Sequence, residues 1–305
     1  MKNPKKILIA NRGVIAIRAL RAAKELGYEV ASVYSTVDKD QKHLKLSDEA
    51  ICIGPATAKD SYMNDAAIIS AAELVGADAI YPGFGFLAEN ASFAEKCKES
   101  GFEFVGPDPK VIEVMGDKIK AKKLIESLGV PTVPGFAGKI ESKNQIENIV
   151  EQIEYPVIVK ASAGGGGRGM RVVNKRDELW DSIIGAQNEA KVAFGNDEVF
   201  IEKYLKKPRH IEIQIFGDGK GKVVHLYSRD CSLQRKYQKI IEEAPAENLN
   251  REKLSEIQNI CVTACSELKY KGAGTLEFLY EDNEFYFIEM NTRIQVEHTV
   301  TEMIT

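Results

Sequence analysis

Continuous apolar runs alternate with amphipathic stretches through the first hundred residues. The run KILIA (6–10) predicts a strand, and residues 14–26 carry the periodicity of a helix that Gly27 stops. EVASVYS (29–35) is a second strand, AAIISAAELVG (66–76) a helix, and ADAIYPG (77–83) a strand closed by a glycine turn. ASFAEKCKESG (91–101) and FEFVGP (102–107) add one more helix and strand. Such alternation predicts an α/β unit, a parallel sheet with helices on both faces. Ligands of such sheets gather beyond the carboxyl ends of the strands, where the turns NRG (11–13) and YPGFG (81–85) fall. Neither turn is a GxGxxG fingerprint, so a dinucleotide site is not supported.

The pattern then changes. A helix over 118–128 is expected, with Asp117 as its N-cap and Ala121, Leu124, Ile125 and Leu128 facing inward. VPTVPGFAG (130–138) has two prolines and two glycines and predicts a break in the chain, with a boundary near residue 131. Residues 131–203 read as a small α+β unit: strand YPVIVKAS, a glycine loop, strand MRVVN, a helix and strand VFIEKYL. Long alternating strands, a helix (251–268), a hairpin (273–290) and a last helical stretch follow. In RHIEIQIFG, Ile211, Ile213 and Ile215 share one face, and His210, Glu212 and Gln214 read as the solvated other face.

Composition narrows the classes. At 305 residues, two or three subdomains are expected, and 44% hydrophobic with 28% charged residues is ordinary for a soluble chain. A net charge of −4 gives no sign of nucleic acid or an anionic membrane, and no apolar run approaches a membrane span. The apolar run after the N-terminal lysines is too short for a signal peptide. Five cysteines without a CxxC pair point to a reduced, cytoplasmic protein. Cys261 and Cys265 lie four apart in a helix whose stripe includes Leu254, Ile257, Ala264 and Leu268, so they read as core.

Three stretches carry chemistry. KASAGGGGRGM (160–170) has four consecutive glycines, including Gly166 and Gly167, whose unshielded N–H groups can approach phosphate. No GK[ST] follows, so this is not a Walker loop but a hairpin able to close as a lid. Lys160 beside it and Lys118, at a helix start, supply cations. In the hairpin, Glu277 and Glu289 interrupt apolar strands, and a three-residue loop including Asn283 would place both on one face. With the Asn291 amide they suit magnesium bridging phosphates. Beyond it Arg293, Gln295 and Glu297 recur every second residue; extended, they would present a bidentate donor, an amide and a base to a small planar anion. Lys239 is either a further cation or part of a solvated run balanced by Glu242 and Glu243.

Together these residues resemble the biotin carboxylase family of the ATP-grasp superfamily. IANRGVIAIR, YPGFGFLAEN, MGDK, KASAGGGGRGMRVV, DCSLQRKYQK, EEAPA, GAGTLEF and FIEMNTRIQVEH stand in the family's order. The resemblance implies an α/β and α+β fold: a Rossmann-like N-terminal domain (1–115), then an ATP-grasp domain (116–305) with a mobile lid near 131–203 and an incomplete portion 204–305. It implies a ligase using ATP, magnesium or manganese, and bicarbonate to carboxylate biotin through carboxyphosphate. Gly166, Gly167, Lys160 and Lys118 would hold the phosphates. Glu202, Lys203, Tyr204 and Leu205 would read adenine, with His210 near the nucleoside and Gln234 and Tyr237 also on the nucleotide side. Glu277, Glu289 and Asn291 would bind metal. Lys239, Arg293, Gln295 and the Val296 backbone would cradle bicarbonate, Glu297 would be its base and Arg293 would stabilise enolate-like biotin. Partners would be a biotin carboxyl carrier protein and carboxyltransferase subunits, as in acetyl-CoA carboxylase of fatty acid biosynthesis, with a homodimer in the longer form.

The chain departs from the family pattern at Tyr237 (usually His), Val14 (Glu), Phe84 (Tyr) and Thr299 (Pro), and it stops at Thr305, where the family continues. Biotin binding is therefore expected to be incomplete. Two readings compete with the carboxylase: another ATP-grasp carboxylate ligase, and a nucleotide-holding module without turnover.

Overall fold

A computed structural model describes residues 5–138, 140, 142, 143, 145, 146, 153, 155–161, 170–195, 197–236 and 238–305. Gly166, Gly167 and Tyr237 lie outside the described residues. The described strands form three sheets.

The first sheet is parallel throughout, in the order β3-β2-β1-β4-β5. Its strands are β1 (Lys6–Ile9), β2 (Glu29–Ser35), β3 (Glu49–Gly54), β4 (Ala79–Tyr81) and β5 (Glu103–Phe104). The helices between them are α1 (Gly13–Glu25), the short α2 (Lys42–Leu46), α3 (Asp65–Leu74) and α4 (Ala91–Glu99). Alternation along the strands divides the core. Leu8, Ala31, Val33 and Ile80 pack with α3 and α4, while Ile9 and Val30 face α1. The edge strand β3 is absent from the sequence-based reading because Ile53 alone is buried along it.

Helices α5 (Pro109–Gly116) and α6 (Lys118–Ser127) lead onward. Asp117 caps α6 as expected, its carboxylate accepting from the Ile119 and Lys120 amides. A four-stranded antiparallel sheet follows, order β6-β9-β7-β8: β6 (Gly135–Gly138), β7 (Val157–Ala161), β8 (Arg171–Val173) and β9 (Val199–Lys203). Helix α7 (Leu179–Phe194) buries Ile183 and Ala186 against Val157, Val159 and Ile201. Within VPTVPGFAG, GFAG is strand β6, which the sequence-based reading of 131–203 leaves out. Its glycine is there for approach: a Cβ on Gly135 would meet the Ile201 carbonyl and come within 2.9 Å of Glu202.

The third sheet is antiparallel, order β12-β11-β10-β13-β14. It comprises β10 (Arg209–Asp218), β11 (Val223–Arg235), β12 (Gln238–Glu243), β13 (Lys271–Glu281) and β14 (Glu284–Asn291). On one face Ile211, Ile213, Ile215, Leu276 and Phe278 pack against α6 and against α8 (Arg251–Glu267), whose buried stripe includes Ile257, Cys261, Ala264 and Cys265. The opposite face carries Glu212, Gln214, Thr275 and Glu277, all buried. That corrects the solvated face expected for β10. Residues 292–297, with the short α9 (His298–Glu302), bring further partners to this face.

Candidate active site

A polar face can be buried only if each group finds a partner. Here the partners converge from β10, β11, β12, β13 and the segment after β14. Lys239, on β12, reaches Glu212, Glu277 at 2.9 Å and Glu297 at 2.6 Å through its Nζ. Arg229, on β11, donates from Nε to Glu212 at 2.9 Å. The His210 Nε2 stands 2.9 Å from Glu277 and 3.4 Å from Glu212. Three carboxylates therefore face three basic groups. Lys239 is a site cation and not part of a solvated run.

The titration behaviour follows from this pairing. Burial alone would lower the His210 pKa, but Glu212 and Glu277 outweigh it and push it up to about 9. Burial also opposes charge on Lys239, and the same carboxylates hold it well above the usual lysine range. Burial would raise Glu277, yet His210 and Lys239 keep it below the ordinary carboxylate range. Gln234 donates to the Cys231 carbonyl at 2.8 Å and stands 3.1 Å from His210 Nδ1, fixing the ring from its other side.

Glu277 and Glu289 are cross-strand partners. The three-residue loop expected between them is not what aligns them. The turn has two residues, Asp282 and Asn283, both at positive φ, and that even loop alone would set the carboxylates on opposite faces. The register shifts by one between Phe278↔Phe287 and Glu277↔Glu289, leaving Ile288 as a bulge that restores the parity. Glu289 is raised by burial and by Glu277, and Lys118 Nζ stands 3.9 Å from it. These two acids, with the Asn291 amide oxygen, form a hard-oxygen set whose mutual repulsion a divalent cation would relieve, so the residues fit magnesium. Asn291 is meanwhile held within the protein: its Nδ2 donates to Glu277 at 2.8 Å and its Oδ1 accepts from Arg293 at 2.9 Å. Lys118, Glu289, Asn291, Arg293 and Glu89 line a cavity of about 300 Å³ between α5, α6 and the end of β14.

The expected alternation of Arg293, Gln295 and Glu297 along one extended face is corrected by the structure. The strand ends at Asn291 and the chain bends. Gln295 and Glu297 are buried in the cluster, with the Gln295 Nε2 donating to Glu277 at 2.7 Å. Arg293 turns the other way and donates from Nε to Glu89 at 2.7 Å, while the Val296 side chain is 65% exposed. Glu89 follows the turn after β4, which Asn11 pins by donating to the Pro82 and Phe84 carbonyls at 2.7 and 2.8 Å.

Lys160, on β7, and Lys122, on α6, donate to the two oxygens of Glu202 on β9 at 2.8 and 2.9 Å. Burial would raise Glu202, and the two lysines hold it low. Lys203 donates its amide to the Pro134 carbonyl, Tyr204 donates its amide to that of Pro156, and Leu205 is buried. This segment joins the second sheet to the third. Val14 and Thr299 are exposed, and nothing in the structure explains their departure from the family pattern. The site residues that sequence reasoning missed are Glu212, Arg229, Lys122 and Glu89. For Glu212 the signal was present, an acid in a strand of isoleucines, but its partner Arg229 is legible only once β10 and β11 are paired.

A glycine-linked antiparallel sheet beside a second one that carries paired acids and lysines defines an ATP-grasp ligase. Family comparison agrees: residues 117–305 match the carbamoyl-phosphate synthase L chain ATP-binding domain, and residues 3–112 match the biotin carboxylase N-terminal domain. The chain is 57% identical over 303 residues to a biotin carboxylase of Haemophilus influenzae, covering 98% of this chain and 67% of that protein. A Pseudomonas aeruginosa biotin carboxylase is 56% identical, with the same coverage. Among solved structures, a Campylobacter jejuni biotin carboxylase–β,γ-ATP complex superposes with TM-score 0.90 at 49% identity, over 99% of this chain and 68% of that one. The Hydrogenobacter thermophilus 2-oxoglutarate carboxylase biotin carboxylase domain dimer, with MgADP, ADP and bicarbonate, gives TM-score 0.88 at 48% identity, over 100% and 67%. The chain belongs to the biotin carboxylase family, a family of ATP-dependent ligases, and spans about two thirds of the length of these relatives. No helix among the described residues is long and apolar enough to cross a membrane.

Proposed function

We propose that this chain performs the ATP- and bicarbonate-dependent carboxylation of biotin borne on a carrier protein, and that the Lys239 cluster is where bicarbonate is activated. The carrying observation is one ammonium within 2.9 Å of both Glu277 and Glu297: Lys239 ties the acid on the metal side to the acid placed as base. In this reading Lys239, Arg293, Gln295 and the Val296 backbone cradle bicarbonate, and Glu297 takes its proton. The deprotonated oxygen then attacks the γ-phosphorus of ATP and ADP leaves. The carboxyphosphate formed breaks to CO2 and phosphate. Phosphate accepts the ureido N–H proton of biotin, whose nitrogen adds to CO2, with Arg293 beside the enolate-like oxygen.

Glu277, Glu289 and Asn291 would hold magnesium, which supplies charge neutralisation to phosphate oxygens. Lys160, Lys118, Gly166 and Gly167 would hold those phosphates. Glu202, Lys203, Tyr204 and Leu205 would face adenine, with His210 and Gln234 beside the nucleoside. Arg293 must leave Glu89 and Lys160 must leave Glu202 to serve, so both cations are parked on carboxylates before substrate arrives. Residues 1–115 would form the N-terminal domain and 116–305 the ATP-grasp domain, with 131–203 as its lid. The partners are a biotin carboxyl carrier protein, a carboxyltransferase and a second copy; the last has support in the dimer of the Hydrogenobacter thermophilus domain.

The test is ADP release from MgATP with bicarbonate and biotin omitted in turn, alongside Glu297→Gln. Bicarbonate-dependent release that Glu297→Gln abolishes is expected. Release indifferent to bicarbonate would overturn the reading in favour of another carboxylate substrate.

A further inference from the structure

Among the described residues Arg229 is the largest side chain fully enclosed, 0% exposed, yet it is not among the groups placed above against substrate or metal. Its guanidinium makes five hydrogen bonds. Nε donates to Glu212 at 2.9 Å, one terminal nitrogen to Gln214 at 2.6 Å and Thr301 at 2.8 Å, and the other to Thr275 at 3.2 Å and Gln295 at 2.6 Å. A guanidinium has donors only, so the Gln295 atom facing it is the amide oxygen. The Gln295 Nε2 then points the other way, into the cluster, where it donates to Glu277 at 2.7 Å. Glu277 favours the NH2 on that side, and Arg229 holds the opposite end of the amide; without the guanidinium only the Glu277 contact would oppose a turn that offers the oxygen to the anion site. An oxygen there would repel a bicarbonate that the NH2 attracts.

The same guanidinium holds Glu212, whose other oxygen binds Lys239. It therefore fixes two groups of the proposed anion cradle at once, one by orientation and one through its counter-ion. We propose that Arg229 is a positioning residue that sets bicarbonate affinity by locking the Gln295 amide with its NH2 toward the anion. The proposal rests on the reading of Gln295 and Lys239 as bicarbonate ligands. Lysine cannot replace it: an ammonium has no planar fork with which to hold Gln295, Glu212 and Thr301 together.

The experiment compares the unsubstituted chain, Arg229→Lys, Thr301→Val and Gln295→Ala. It reads bicarbonate binding by calorimetry in the presence of MgADP, and the KM for bicarbonate and for ATP in ADP release. Arg229→Lys is expected to weaken bicarbonate about tenfold, the worth of one charge-assisted hydrogen bond, while the ATP KM stays within about twofold. In a Gln295→Ala background the same change should cost clearly less, because one of the two groups it acts through is gone and only the Glu212–Lys239 route remains. Equal losses for ATP and bicarbonate, or an undiminished effect in the Gln295→Ala background, would make Arg229 a structural brace and overturn the proposal. Thr301→Val decides if Arg229→Lys does not fold. It removes one acceptor at the edge of the network, and a raised bicarbonate KM supports the proposal whereas an unchanged one overturns it. Failure of the unsubstituted chain to bind or use bicarbonate would instead defeat the functional reading on which the proposal stands.

Discussion

Glu277 and Glu289 face each other across β13 and β14 because one residue, Ile288, is extra in the second strand. The two-residue turn alone would have sent Glu289 to the opposite face. Deleting Ile288 leaves a regular two-residue hairpin in which Glu277 still pairs with Glu289, so the extra stabilisation by MgADP over ADP alone is expected to survive it, whereas Glu289→Gln should abolish that extra stabilisation with the sheet retained. Thermal denaturation with each nucleotide form, beside far-ultraviolet circular dichroism, measures both.

Among the described residues, Lys239 ties Glu297 to Glu212 and Glu277. Glu297→Gln should reduce bicarbonate-dependent ADP release by about 100-fold or more, the usual weight of a general base. Lys239→Met should do at least as much and also destabilise the fold, since it leaves Glu212, Glu277 and Glu297 short of a cation. Steady-state rates and melting curves of the two variants separate these effects.

His210 gives a pH signature. Its folded pKa, about 9, lies above the ordinary value of 6.5, so the stabilisation is complete below 6.5 and is lost as pH rises toward 9. The melting temperature should fall between pH 7 and pH 9, and His210→Gln should flatten that fall. An imidazole resonance titrating near 9 would report the same group directly.

Lys122 shares the buried Glu202 carboxylate with Lys160. Lys122→Met leaves one cation on that acid, and a loss of about 2 kcal/mol is expected in urea denaturation. Because Lys160 must then carry the pairing alone, the ATP KM should also rise, while the bicarbonate KM stays put.

Cys52 is exposed, whereas Cys97, Cys231, Cys261 and Cys265 are buried. Burial pushes the Cys97 and Cys265 thiols up to about 12 and those of Cys231 and Cys261 upward as well. Brief exposure of the folded protein to a maleimide at neutral pH should add one label per chain, at Cys52, as read by intact mass.

The sequence was most legible where one physical force dominates. KILIA and EVASVYS had to be parallel-sheet strands, because no other element leaves such short apolar runs between helical stretches. The Cys261 and Cys265 stripe had to be core. Legibility failed where the deciding partner is distant in the chain. The polar face of β10 looked solvated because Arg229, which buries Glu212, stands 17 residues away on another strand, and Gln295 lies 66 residues beyond Arg229. Strand β6 was not legible in GFAG because glycines that admit a neighbouring backbone resemble glycines that end a strand. The hairpin parity was anticipated in outcome, but through a loop length the chain does not use; a bulge leaves no mark in composition.

Both routes into the second sheet run side by side. The Lys203 amide meets the Pro134 carbonyl at 2.9 Å; just before it Pro131 accepts from the Phe287 amide at 2.8 Å, and just after it Glu281 accepts from the Lys206 and Lys207 amides. A body fastened along a single line keeps one soft degree of freedom, rotation about that line, while sliding and twisting are resisted by β14 on one side and β13 on the other. Lys122 lies off that axis, on α6, and its grip on Glu202 opposes the swing. Lys160 and Glu202 both belong to the second sheet, so among the described residues the ionic tie of Glu202 across that axis is to Lys122, and a ligand that draws Lys160 off the carboxylate leaves the carboxylate to Lys122 alone.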